Sequence, residues 1–130
     1  MTVEISTHDR LEVLDVTAEV AAEVPSGLDR GLCTVSVRHT TAGVVVNEAE
    51  RRLVADLVGT LERLVPRGAG YGHDDVDDNA DAHLRAMLVG SSVTVPVVDG
   101  RLDLGPWQSV LLVECDGPRR RQLAVTCVAT

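Results

Sequence analysis

At 130 residues the chain has the size of one ordinary domain, and with one Trp, one Tyr and no Phe its core must be assembled from Val, Leu and Ala. A net charge of −8 argues against nucleic-acid binding, which needs a basic stripe to neutralise phosphates. All twelve basic residues are arginines, which excludes P-loop lysines and Schiff-base chemistry. No apolar run approaches the roughly 20 residues needed to span a bilayer. Met1 to Arg10 carries Glu4 and Asp9 and has no signal-peptide apolar region, so no membrane partner and a cytoplasmic setting are expected. Cys33, Cys115 and Cys127 lie far apart in apolar segments with no CxxC spacing, the pattern of buried free thiols in a reducing compartment.

In chain order, a first strand is expected from Val3 to about Leu14, interrupted near Asp9. Thr17 then caps a short helix with Val20 and Val24 on one face, ended by Pro25-Ser26-Gly27. From Leu32 to Arg38, Cys33, Val35 and Val37 alternate with polar residues as in a half-buried strand, and His39 continues the apolar side at its end. Gly43 to Val46 is a further short strand. Asn47 and Glu50 have capping-box spacing before a helix whose buried stripe is Leu53, Leu57, Leu61 and Leu64, stopped by Pro66.

Residues 67–78 read as a loop punctuated by Gly68, Gly70 and Gly72, with an acidic run from Asp74 to Asp78. Asn79 or Asp78 is expected to cap a helix ending at Gly90, with Leu84 and Leu88 turned inward. The remainder reads as two hairpins. Val93–Val98 and Arg101–Leu104 are joined by Asp99-Gly100, and Gln108–Glu114 and Gln122–Val128 by Asp116-Gly117-Pro118. Val110 to Val113 is apolar on both faces and belongs in a central strand. The expected fold is α+β, one compact domain over 1–130, mainly antiparallel sheet with two or three short helices.

Three histidines, His39, His73 and His83, sit in polar contexts on a strand end, a glycine-rich loop and a helix. Three imidazoles can form an open metal site that keeps a position for water or substrate, although no local signature such as HExxH is present. Magnesium is the alternative for the acidic run, set against a solvated loop in which one Asp caps the next helix. Trp107 either packs on the core edge or walls a pocket, and Gln108 bonds either a ligand or a turn. The run Arg119 to Arg121 follows a hairpin turn, and Arg121, nearest the strand, is the one placed to meet an anion.

These segments together resemble the YjbQ-like family, often described as secondary thiamine-phosphate synthases. The resemblance is carried by His39-Thr40-Thr41-Ala42-Gly43-Val44-Val45-Val46-Asn47-Glu48, by Gly70-Tyr71-Gly72-His73 with Asn79-Ala80-Asp81-Ala82-His83, and by Gly90-Ser91-Ser92 through Gly105-Pro106-Trp107-Gln108 to Glu114 and Arg121. Cys115 stands where many relatives have His, and Pro106 where many have Thr.

The resemblance implies a homotrimer with a cleft holding His39, His73 and His83 as metal ligands. Glu48 and His39 are then the catalytic candidates, with Thr41, Asn47, Trp107, Gln108 and Arg121 binding substrate. It also implies a metal-dependent enzyme with thiamine-phosphate synthase-like activity on a small phosphorylated or anionic molecule. The cofactor would be a divalent metal, zinc for imidazoles or magnesium for a pyrophosphate leaving group. The competing reading is a non-catalytic metal- or anion-binding module.

Overall fold

The computed structural model describes residues 1–130 and is an α+β domain of eight strands and three α-helices. The order is β1 (Thr2–Ser6), β2 (Glu12–Asp15), α1 (Thr17–Ala21), β3 (Gly31–Val37), β4 (Ala42–Asn47), α2 (Arg51–Leu64), α3 (Ala80–Val89), β5 (Ser92–Val98), β6 (Arg101–Leu102), β7 (Ser109–Glu114) and β8 (Arg120–Ala129). A 3-10 turn, Gly72–Asp75, interrupts the expected loop.

Two antiparallel sheets form, in the orders β1-β8-β3-β5-β6 and β2-β7-β4. The expected first strand is therefore two strands in different sheets: β1 pairs with β8, and β2 with β7. The break near Asp9 is where the chain crosses between them. The expected hairpin of Gln108–Glu114 with Gln122–Val128 does not form either, because β7 and β8 lie in different sheets and Asp116-Gly117-Pro118 carries the chain from one sheet to the other. Asp99 and Gly100 both have positive φ, 52° and 76°, as a two-residue hairpin turn between twisted strands demands.

The main core lies between the sheets. Cys33, Val35 and Val37 of β3 meet Val44 of β4, Val110 and Leu112 of β7, and Leu123 and Val125 of β8. A smaller cluster of Leu61, Ala82, Val113 and Cys115 lies on the other face of the three-stranded sheet, beneath α2 and α3. Strand β7 is thus buried on both faces, which is why its sequence lacks alternation.

The helices depart from expectation. Glu50, not Asn47, caps α2, its carboxylate accepting the Leu53 N–H at 2.7 Å. Of the leucine stripe only Leu61 is buried, and Leu64 remains 67% exposed. Helix α3 turns Ala80, Ala82 and Ala86 inward together with Asp81 and Arg85, while Leu84 and Leu88 face out. Small residues are needed because α3 runs close against β4: a Cβ on Gly43 would fall 2.6 Å from the Gly90 carbonyl oxygen. The desolvation cost of burying Asp81 and Arg85 is offset because each is answered. Arg10 grips Asp81 with both terminal nitrogens at 2.7 and 3.1 Å, and Arg85 reaches Asp81 at 3.2 Å and the Val65 carbonyl at 3.0 Å.

Candidate functional site

The ends of several elements meet around one open, polar hollow of about 830 Å³. His39 and Thr41 come from the β3–β4 connection, Asn79 and His83 from the start of α3, and Asp116, Arg119 and Arg121 from the β7–β8 turn and strand. None of the twelve lining residues is hydrophobic. Four are arginines, Arg38, Arg119, Arg120 and Arg121, against the two carboxylates of Asp77 and Asp116. Three of the four are ion-paired, Arg119 with Asp116, Arg120 with Glu4 and Arg121 with Glu114, so the hollow gathers guanidinium donors rather than net positive charge.

Arg121 is not a solvated hairpin tip: it is only 2% exposed. Its Nε donates to both oxygens of Glu114, its Nη2 donates to the same carboxylate, and Nη2 also donates to the Thr41 hydroxyl at 2.8 Å and carbonyl at 3.1 Å. Glu114 is fully buried and also accepts from the Thr7 hydroxyl at 2.7 Å and the Asp116 N–H at 3.1 Å. Every oxygen of the carboxylate is answered, so the pair is held in one geometry. Nη1 of Arg121 has no protein partner, yet no buried polar atom of the chain is unsatisfied, so this edge of the guanidinium is open to the hollow.

Asn79 links the next layer. Its Nδ2 donates to Asp116 Oδ2 at 3.0 Å, which leaves Oδ1 for His73 Nε2 at 3.1 Å. Asp116 also receives Arg119 Nη2 at 3.1 Å. The N-cap side chain of α3 being thus engaged, Asp74 accepts the Ala80 N–H at 3.0 Å. One member of the acidic run is therefore a helix cap, as the solvated-loop reading expected.

Of the expected site residues, His39, Thr41, His83 and Arg121 are brought together in the hollow. His73 packs edge-on against His83, ring centroids 4.7 Å apart, but does not line it. Asn47, Glu48, Trp107 and Gln108 lie elsewhere. Asn47 pairs with Ser109 and Ala42 with Glu114, so β4 carries the chain roughly 17 Å from the hollow before Glu48 is reached. Glu48 borders an apolar recess of about 450 Å³ formed with Leu53, Leu57, Leu88 and Leu111. Trp107 is 74% exposed, and Gln108 Oε1 accepts the Gly105 N–H at 2.8 Å, bonding a turn. The joint placement of Glu48 and His39 in one catalytic group thus fails within a single chain, because both ends of one extended strand cannot face the same cavity.

Within a single chain the three imidazoles do not stand together as one metal site. No group of three or more His, Cys, Asp or Glu side chains stands where it can hold a metal ion. His39 Nε2 accepts the backbone N–H of Gln122 at 2.8 Å, so that lone pair is engaged. His39 is held below the ordinary histidine range by partial burial, then by Arg121, with Arg38 and Arg119 adding to the effect and Glu114 opposing it. Cys115 is not a nucleophile either, since burial and then the adjacent Glu114 carboxylate push its thiol up to about 12.

Glu114, Asn79 and Asp116 are the site-forming residues that sequence reasoning passed over. The available signal was Glu114, an ionisable residue closing an otherwise apolar central strand.

Comparison with known proteins agrees with this architecture. The family model described as "UPF0047 protein YjbQ-like" matches residues 1–130. A UPF0047 protein of Archaeoglobus fulgidus is 48% identical over 125 residues, covering 96% of this chain and 98% of its own, and one of Methanothermobacter thermautotrophicus is 46% identical over 123 residues, covering 94% and 86%. Among solved structures, a hypothetical protein from Aeropyrum pernix K1 superposes with a TM-score of 0.96 at 44% identity, covering 100% of this chain and 98% of that one. A YbjQ-like protein of unknown function from Sulfolobus solfataricus P2 gives 0.96 at 36% identity, covering 100% and 96%. Whole-chain identity at this level, together with the shared fold, means that the chain belongs to the UPF0047 YjbQ-like family.

Proposed function

We propose that the protein is a small-molecule enzyme whose arginine-lined hollow binds a phosphorylated substrate. The observation that carries this reading is the concentration of four guanidinium groups around a cavity with no hydrophobic lining in an otherwise acidic chain. Arginine forks match phosphate oxygens in geometry and charge, and a site that stabilises a departing phosphate or diphosphate lowers the barrier to group transfer.

The specific reaction put forward is of the thiamine-phosphate synthase type. The thiazole nitrogen of a thiazole phosphate forms a bond to the methylene carbon of a pyrimidine-methyl diphosphate. The carbon–oxygen bond to the diphosphate breaks, and pyrophosphate leaves with the electron pair. Arg119 and the open edge of Arg121 are the groups assigned to the leaving anion, with Thr41 and His39 at the wall beside them. A divalent cation enters as the companion of the diphosphate, near Asp77 and Asp116, and not through three imidazoles.

Glu48, Asn47, Trp107 and Gln108 take part in this reading through a neighbouring copy, in a homotrimer whose subunits complete one another's hollows. The exposed Trp107, Met87 and Leu88 support such packing. Three unbridged thiols support a cytoplasmic setting.

The test is turnover by the purified assembly with Mg²⁺, Mn²⁺ or Zn²⁺ on a phosphate-ester panel and on the thiamine-precursor pair. Expected is release of phosphate or pyrophosphate that Arg119→Ala reduces. Absence of turnover on every substrate, with phosphate still bound, removes the enzyme reading and leaves a non-catalytic anion-binding module. That second reading is favoured by one observation: the most buried arginine of the hollow is braced by Glu114 and Thr41 as a structural part would be.

A further inference from the structure

We propose that His39 is a fixed hydrogen-bond donor, through Nδ1–H, to the phosphate group of the ligand, and that the hollow takes a phosphomonoester or diphosphate with no metal bridging it to the imidazole. The proposal rests on the phosphate-binding reading above and specifies how that phosphate is recognised.

The tautomer follows from an atom whose role is not in question. In a regular antiparallel hydrogen-bonded pair, Arg38 and Gln122 would exchange both backbone bonds. Arg38 N–H does donate to the Gln122 carbonyl at 3.2 Å. The return bond is not made to Arg38; the Gln122 N–H donates to His39 Nε2 at 2.8 Å. The imidazole has replaced a carbonyl in the β3–β8 ladder. A backbone N–H can only donate, so Nε2 is the acceptor, and the proton of the neutral ring sits on Nδ1.

Nδ1–H has no protein partner, and His39 lines the arginine-rich hollow. Both requirements for a metal ligand are thereby missing: one nitrogen has its lone pair engaged by the backbone, and the other carries the proton. A neutral N–H beside Arg38, Arg119 and Arg121 is instead a directional donor to an anionic oxygen. The His39 ring cannot serve as a protonated imidazolium in that task, because a second proton would have to point at the Gln122 N–H.

Two measurements on the whole protein test the proposal. The first is nitrogen-15 histidine NMR, which expects the Nδ1–H tautomer for His39 and a downfield shift of that proton on addition of inorganic phosphate. The second is calorimetric titration with inorganic phosphate and pyrophosphate, with and without a chelator. For inorganic phosphate the expected affinity is unchanged by chelation, and for both anions it is about tenfold weaker in His39→Gln, whose amide oxygen still accepts from Gln122 but offers no donor at the Nδ1 position. An Nε2–H tautomer, or phosphate binding that is lost with chelator and restored by Zn²⁺, overturns the metal-free donor role while leaving the phosphate site intact. Failure of either anion to bind at all, with the Nδ1–H tautomer present, overturns the phosphate site itself and the donor role with it.

Discussion

Arg121, which lines the hollow, and Glu114 form an ion pair in which both side chains are almost sealed from water, at 3% and 0% exposure. Truncating Arg121 to Ala leaves Glu114 charged and unpaired, and an expected loss of about 3–5 kcal/mol will be read from urea denaturation. The double change Arg121→Met with Glu114→Leu recovers only part of that loss, because it removes the buried charge but also takes the partners of the Thr41 carbonyl and hydroxyl and of the Asp116 N–H. His39 gives a second measurable consequence. Its folded pKa is depressed by burial and then by Arg121, with Arg38 and Arg119 adding, so folding favours the neutral ring. Stability contributed by this group is complete above the unfolded value of 6.5 and declines as pH falls from there through the folded value. His39→Gln removes this slope from the pH dependence of the melting temperature. Asp81 acts in acid. Burial raises its pKa, but the Arg10 hydrogen bond and charge, helped by Arg85 and Arg67, outweigh it and hold the group below 3.8. Its contribution is present above that unfolded value and lost as pH falls through the folded one, so Asp81→Asn flattens the acid limb of the stability curve.

Helix α2 shows how periodicity and burial part company. Its leucine spacing was legible, and the helix forms where the spacing placed it, yet one residue in fourteen is buried. Tertiary packing therefore contributes little to it, and local propensity contributes more. Gly59 is the weak point, since a Cβ there meets only the flexible end of Arg63, at 3.3 Å. Gly59→Ala is expected to stabilise the protein by about 0.5–1 kcal/mol, measured by chemical denaturation. At α3 the opposite holds. Gly43→Ala drives a methyl into Val89 and the Gly90 carbonyl, which already accepts the Val44 N–H at 3.0 Å. An expected loss of about 1–3 kcal/mol follows, and hydrogen exchange should quicken first at Val44. The inward face of α3 was misread for a physical reason. Leucine outranks alanine in any hydrophobic pattern, but the distance to β4 admits only small side chains, and that distance is absent from a one-dimensional sequence.

For the whole molecule, Leu64, Leu84, Met87, Leu88 and Trp107 are exposed, and the proposed homotrimer would cover part of this apolar surface. Light scattering is expected to give about three times the chain mass of 13.9 kDa. A monomer at working concentration would remove Glu48, Asn47, Trp107 and Gln108 from the site. Most strand positions, the Asp99-Gly100 turn, the central position of Val110 to Val113 and the α+β class followed from alternation and turn chemistry, which are short-range properties that any stretch of chain carries with it; the division of β1 from β2 and of β7 from β8 between two sheets did not. Which groups meet was settled only by folding. Glu114 finds Thr7 from 107 residues away and His39 finds Gln122 from 83, and those two contacts decide which arginine edge is open and which imidazole nitrogen holds the proton. A hydrogen bond depends on distances of a few tenths of an ångström between atoms far apart in the chain, and no local pattern encodes them.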